Sequence, residues 1–112
     1  MHVAAAGALA TLLGAGERLV THAYVVVETS ALVQRRLPPP ALRDLHRRLL
    51  PVVEVRPVAE DEHDRAVSAL VAAPSGPSLV DRASFEVMRA AGIESAFTFD
   101  RHFAAEGFHA LP

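Results

Sequence analysis

Apolar residues recur along this chain at two periods, and their alternation predicts its elements. In residues 3–15, Val3, Leu9, Leu12 and Leu13 stand among alanines at helical spacing, and Gly14 and Gly16 end the run. Arg18, Leu19, Val20 and Thr21 read as a short strand. Thr21 then serves as N-cap for a helix over residues 22–36, with Tyr24, Val25, Glu28, Ala31 and Leu32 as its stripe. Pro38, Pro39 and Pro40 stop that helix. A second helix over residues 41–50 sets Leu42, Leu45 and Leu49 on one side and Arg43, Arg47 and Arg48 on the other. Residues 52–58 form a strand by their β-branched content. Asp61 or Asp64 helps start a helix to residue 73, and Pro74, Ser75, Gly76 and Pro77 make a loop. Ser78 caps a helix through Ala91, with Gly92 just past its end. Ala96, Phe97, Thr98 and Phe99 are a buried strand, Phe103 and Phe108 flank a turn at Gly107, and a short strand follows. Strands alternating with helices predict an α/β fold with a mostly parallel sheet. No repeat or linker divides the 112 residues, so a single domain is expected.

Within this pattern three acids stand at positions where a carboxylate is costly or directed. Glu28 falls on the stripe of its helix, one turn from Val25 and Leu32, and an ionised group there needs a partner. A glutamate at the edge of a helix that reaches water or an arginine explains it as well. Asp81 opens the helix after Ser78. There, S-x-x-D is the form of a capping box, in which the acid reaches back to a free backbone N–H; the alternative is an acid held beside a cation. Asp100 directly follows an apolar strand, and ligands of parallel α/β sheets sit outside the carboxyl ends of strands. A turn-initiating aspartate is the plainer reading. Jointly the three suggest a divalent-metal site, and metal–carboxylate sites with little else around them usually serve phosphodiester chemistry.

Composition narrows the chemistry. The absence of cysteine excludes disulfides and thiolate metal sites. The six histidines show no spacing such as H-E-x-x-H, so hard oxygen ligands point to Mg²⁺ or Mn²⁺ over zinc. His102, two residues after Asp100, reads as a substrate contact or as a surface histidine. No P-loop, G-x-G-x-x-G or G-x-S-x-G is present. A net charge of −2 argues against nucleic-acid binding by bulk positive charge. Every basic residue is arginine, however, and Arg35, Arg36, Arg43, Arg47 and Arg48 bracket the triple proline. These form a solvated face, an RNA-backbone patch or a contact for a protein partner. No apolar run reaches the roughly 18–20 residues of a membrane span. The stretch at residues 4–15 lacks the basic flank of an export signal and reads as a helix.

Taken together, Leu19-Val20-Thr21 with Glu28, Ser78-Leu79-Val80-Asp81-Arg82-Ala83-Ser84-Phe85, Ala96-Phe97-Thr98-Phe99-Asp100-Arg101-His102-Phe103 and Gly107-Phe108 resemble a PIN domain. The closer resemblance is to bacterial toxins of the VapC type. It covers nearly the whole chain and implies a three-layer α/β/α sandwich with a mostly parallel sheet. It also implies a cytoplasmic endoribonuclease using Mg²⁺ or Mn²⁺, in which the cation activates a water and steadies charge on the scissile phosphate. Carried over by position, Glu28, Asp81 and Asp100 match three of the family's four acids and are the expected metal ligands and catalytic residues. The implied partners are an RNA substrate, a small antitoxin and a second copy in a homodimer. One departure stands out: the family's opening strand and the acid it carries have no counterpart in these residues. Either the true gene product begins further upstream, which the intact remaining motifs favour, or the chain is a degenerate relative lacking that central strand. In the second case it acts only as an antitoxin- or RNA-binding module. A third reading is a plain α/β scaffold whose acids only cap helices.

Overall fold

A computed structural model describes residues 19–97 and 104–111. The helix expected over residues 3–15 lies outside these, as do Thr98, Phe99, Asp100, His102 and Phe103. The described residues fall into two compact units, one within Arg18–Val58 and one within Ala59–Pro112.

The first unit is a βαβ arrangement. Strand β1 (Val20–His22) pairs in parallel with β2 (Glu54–Arg56), in the register Val20 to Glu54, Thr21 to Val55 and His22 to Arg56. A bond from Glu54 N–H to the Leu19 carbonyl (2.8 Å) extends the ladder. Thr21 is therefore a strand residue, not the expected helix cap. Its β-branched side chain suits the ladder, and helix α1 (Ala23–Arg36) starts after it, with His22 at the N-cap making no side-chain capping bond. Residue 37 precedes a proline and turns extended (φ −122°), which ends α1 where the sequence places its end. The prolines do a second job: Pro38 is the N-cap of α2 (Pro39–Asp44), and the next two prolines occupy its first turn, where a missing N–H costs nothing.

The regular helix expected as far as residue 50 does not persist. It widens into a π-helical turn at Leu45–Leu49 and tightens into a 3₁₀ turn at Leu50–Val52. Pro51 has no N–H to continue the α ladder, so the backbone leaves it there. A bond between Ser30 Oγ and His46 Nε2 (2.8 Å) ties α1 to the π turn. Strand β2 is shorter than the seven residues expected, and Arg56 and Glu54 pair along it at 2.7 Å.

The second unit holds α3 (Glu60–Ala72), α4 (Leu79–Ala91) and the parallel pair β3 (Ser95–Phe97) and β4 (His109–Leu111). Glu60, Asp61 and Glu62 crowd the first turn of α3, where negative charge meets the positive end of the helix dipole. Ala59, not an aspartate, is the N-cap, and Glu62 does the capping: its carboxylate accepts from the Ala59 N–H at 2.8 Å. Helices α3 and α4 lie together around Ala66 and Ala83, both almost wholly buried, since small side chains let backbones approach. Phe85, Met88 and Ala96 form the core, with Ile93 and Phe108 against them. The Phe85 and Phe108 rings stack with centroids 5.8 Å apart. Gly92 (φ 69°) closes α4, and the Ile93 N–H reaches the Met88 carbonyl at 2.8 Å. This is a Schellman ending, whose left-handed residue favours glycine.

Candidate metal centre

Asp81 lies in the first turn of α4, where the residues around the helix start are described. Ser78 sits at the N-cap of α4 and its hydroxyl accepts from the Asp81 N–H at 3.1 Å. That is one half of the capping box. The other half is absent: among the described residues no hydrogen bond or ion pair engages the Asp81 carboxylate. Glu62, in the same position of α3, shows what the missing half looks like. Aspartate is one methylene shorter, and here it does not reach back. The capping explanation therefore accounts for the serine and leaves the half-buried carboxylate of Asp81 uncommitted.

The next residue, Arg82, points to another side of the helix and its guanidinium is fully engaged there. Nε donates to the Pro77 carbonyl (2.8 Å), Nη1 to Ala69 (3.1 Å) and Nη2 to Ala73 (2.7 Å). Arg82 thus ties the last turn of α3, the 74–77 loop and the first turn of α4 into one corner: it gives donors to the Ala73 and Pro77 carbonyls beyond the end of α3 and a second donor to the Ala69 carbonyl, which already accepts from the Ala73 N–H. Gly76 (φ 115°) lies against this guanidinium, where an added Cβ would come 3.6 Å from Nη2. The sequence reading missed Arg82. Its only local signal is a long donor side chain directly after the capping-box acid.

The other described arginines of this unit are also engaged. Arg65 bonds Glu86 at 2.9 Å and Asp61 at 3.3 Å, joining α3 to α4. The Glu86 bond is the main cause that raises its guanidinium above the ordinary value; burial works against it, and Asp61 adds to the rise. Arg89 bonds Glu106 at 2.6 Å and lies over the Phe108 ring. Neither competes for Asp81.

Glu28 belongs to the first unit, at the middle of α1, and it is exposed. This corrects the expectation that it lies on a buried stripe. Tyr24, Val25, Ala31 and Leu32 are only half-buried, and Val27 is 68% exposed, because valines at 25, 26 and 27 spread apolar surface around the helix. Burial cost is therefore no argument for a partner at Glu28. Its carboxylate is open to solvent and, among the described residues, makes no ion pair. Asp100 lies outside the described residues, and no cluster of three or more acids or histidines able to hold a metal forms among those that are described. Of the expected ligands, the two that are described, Glu28 in the first unit and Asp81 in the second, have carboxylates that no cap or counter-ion occupies, as do Glu60, Asp64 and Glu94 among the described residues; carboxylate oxygens are the donors a hard cation takes. No described helix is long and apolar enough to cross a membrane.

Comparison with known proteins adds to this geometry. Residues 1–108 match the PIN domain family. The 23S rRNA-specific endonuclease VapC20 of Mycobacterium tuberculosis is 38% identical over 92 residues, in strain CDC 1551 / Oshkosh and in strain H37Rv alike. The match covers 80% of this chain and 70% of that protein. Among solved structures, the crystal structure of M. tuberculosis VapC20, described as a sarcin–ricin loop cleaving toxin, matches with a TM-score of 0.76 and 35% identity. It covers 91% of this chain and 81% of that one.

Proposed function

The chain belongs to the PIN domain family and is VapC-like, with the α/β sandwich class and parallel pairing expected from its sequence, and on that premise we propose that it is a Mg²⁺- or Mn²⁺-dependent endoribonuclease of the VapC toxin type. The observation that carries this reading is the 38% identity to a named RNA endonuclease across most of both chains. The uncommitted carboxylate of Asp81 supports it from the structure.

In this reading Glu28, Asp81 and Asp100 hold the cation. A divalent ion bound there supplies charge stabilisation at the scissile phosphate. The protein's own part is arrangement. Ser78 takes up the Asp81 N–H, so the first turn of α4 is capped without using the carboxylate. Arg82 binds three carbonyls and so holds the corner from which α4 starts. The exposed side of α1 presents Glu28 to solvent, where an RNA chain can reach it. Ribosomal RNA of the large subunit is the first substrate to examine, given the specificity in the relative's name. A small antitoxin that covers the acids, a homodimer and a cytoplasmic setting complete the proposal.

The test is cleavage of 23S rRNA by the purified chain with Mn²⁺, with Mg²⁺ and with EDTA. Discrete fragments that appear with either metal and vanish with EDTA support the reading. RNA binding without cleavage under all three conditions would favour the binding-only module instead.

A further inference from the structure

The first unit carries a feature that the metal site does not use. Over residues 19–58, six arginines face only Glu28, Asp44 and Glu54, so this segment is net positive in a chain of net charge −2. The positive charge is concentrated at the α1–α2 hairpin and the π turn after it. Arg35 and Arg36 end α1, Arg43 ends α2, and Arg47 and Arg48 lie in the π turn. All five are exposed.

Arginines elsewhere among the described residues are occupied: Arg56 by Glu54, Arg65 by Glu86 and Asp61, Arg82 by three carbonyls, Arg89 by Glu106. Arg48 approaches Asp44 at 3.6 Å. Arg35, Arg36, Arg43 and Arg47 make no ion pair or hydrogen bond among the described residues. A favourable helix dipole explains one cation per helix end; it does not explain four without counter-ions in a stretch of 13 residues.

Two further observations give the patch a direction. Arg35 follows Glu28 by seven residues on α1, so the two share a face, about 10 Å apart along the axis. Arg43 in α2 and Arg47 in the π turn are four residues apart along one continuous helical stretch, a spacing that sets side chains on the same side. Single π turns within helices are found frequently at functional sites.

We propose that Arg35, Arg36, Arg43 and Arg47 form a phosphate-binding track for the RNA strand as it leaves the scissile position. This rests on the nuclease reading and names the surface that holds its substrate. A strand whose scissile phosphate lies near Glu28 meets Arg35 two turns along the same helix face, then the hairpin. Planar guanidinium groups without protein acceptors suit phosphate oxygens, which they bind in pairs.

The test is fluorescence anisotropy of a labelled single-stranded RNA with the full chain in EDTA, across a salt series. The double variant Arg43→Ala/Arg47→Ala is expected to bind at least tenfold more weakly at low salt. Its slope of log affinity against log salt should be smaller by about 1.4, since each lost phosphate contact on a single strand removes about 0.7. Arg43→Lys/Arg47→Lys should keep the slope, because an ammonium releases the same counter-ion. Arg65→Ala, which removes an arginine already bonded to protein, should leave it unchanged. In cleavage assays with Mn²⁺, Arg35→Ala should raise KM with little change in kcat. An unchanged slope in the alanine double variant overturns the track, also where the same variant loses an acidic protein partner. If wild-type RNA is cut while that slope is unchanged, the track alone fails. If wild-type RNA is bound through the track but never cut, the nuclease reading alone fails.

Discussion

At position 81 two roles compete for one carboxylate, and the neighbours decide between them. Ser78 already caps the Asp81 N–H, and Arg82 is bound to carbonyls, so the acid contributes little to the fold. Asp81→Asn should therefore leave the thermal midpoint within a few degrees of wild type while lowering Mn²⁺ affinity by more than about tenfold, read by calorimetry. The reverse holds at the cap. Ser78→Ala removes an acceptor from the first turn of α4, a loss of about 1 kcal/mol, and thermal melting should show a drop of roughly 4–8 °C. Glu28 is a different case. Its type and helical spacing were visible in the sequence, but its exposure was not. A stripe reading assumes one buried face, and the three consecutive valines before Glu28 do not define one.

At the scale of elements, the signals that translated directly are those that act through local backbone chemistry. Ser78 and Gly92 bracket α4 as expected, and the prolines end α1. What the sequence did not disclose depends on partners distant in the chain. Thr21 became a strand residue because Val55 lies beside it. Glu62 capped α3 in place of Asp61 or Asp64. The π turn joins α1 through Ser30 and His46, and no local pattern announces such a bond. Arg82 belongs to the same group, since its three acceptors lie on α3 and the following loop. Removing it frees that corner. Arg82→Ala should speed amide exchange in residues 79–82 of the metal-free protein and lower stability by about 1 kcal/mol, its half-exposed setting weakening each bond. Arg82→Lys should not restore protection, because one ammonium cannot span three carbonyls in that geometry.

For the molecule as a whole, charge is unevenly divided: among the described residues, unpaired arginines collect in the first unit, and acids open both helices of the second. Such a division suits a protein that meets a polyanion with its first unit while a cation is held by acids of both, Glu28 from the first and Asp81 and Asp100 from the second. The central claim is that Glu28, Asp81 and Asp100, far apart in sequence, serve one bound cation. A double-mutant cycle on Mn²⁺ affinity tests it most directly, with Glu28→Gln, Asp81→Asn, Asp100→Asn and their pairs measured by calorimetry or by electron paramagnetic resonance. Shared ligation lowers affinity by more than about tenfold in each single variant, and each pair loses less than the sum of its singles. Losses that add within about 0.5 kcal/mol, or a single variant that binds Mn²⁺ as tightly as wild type, would contradict it.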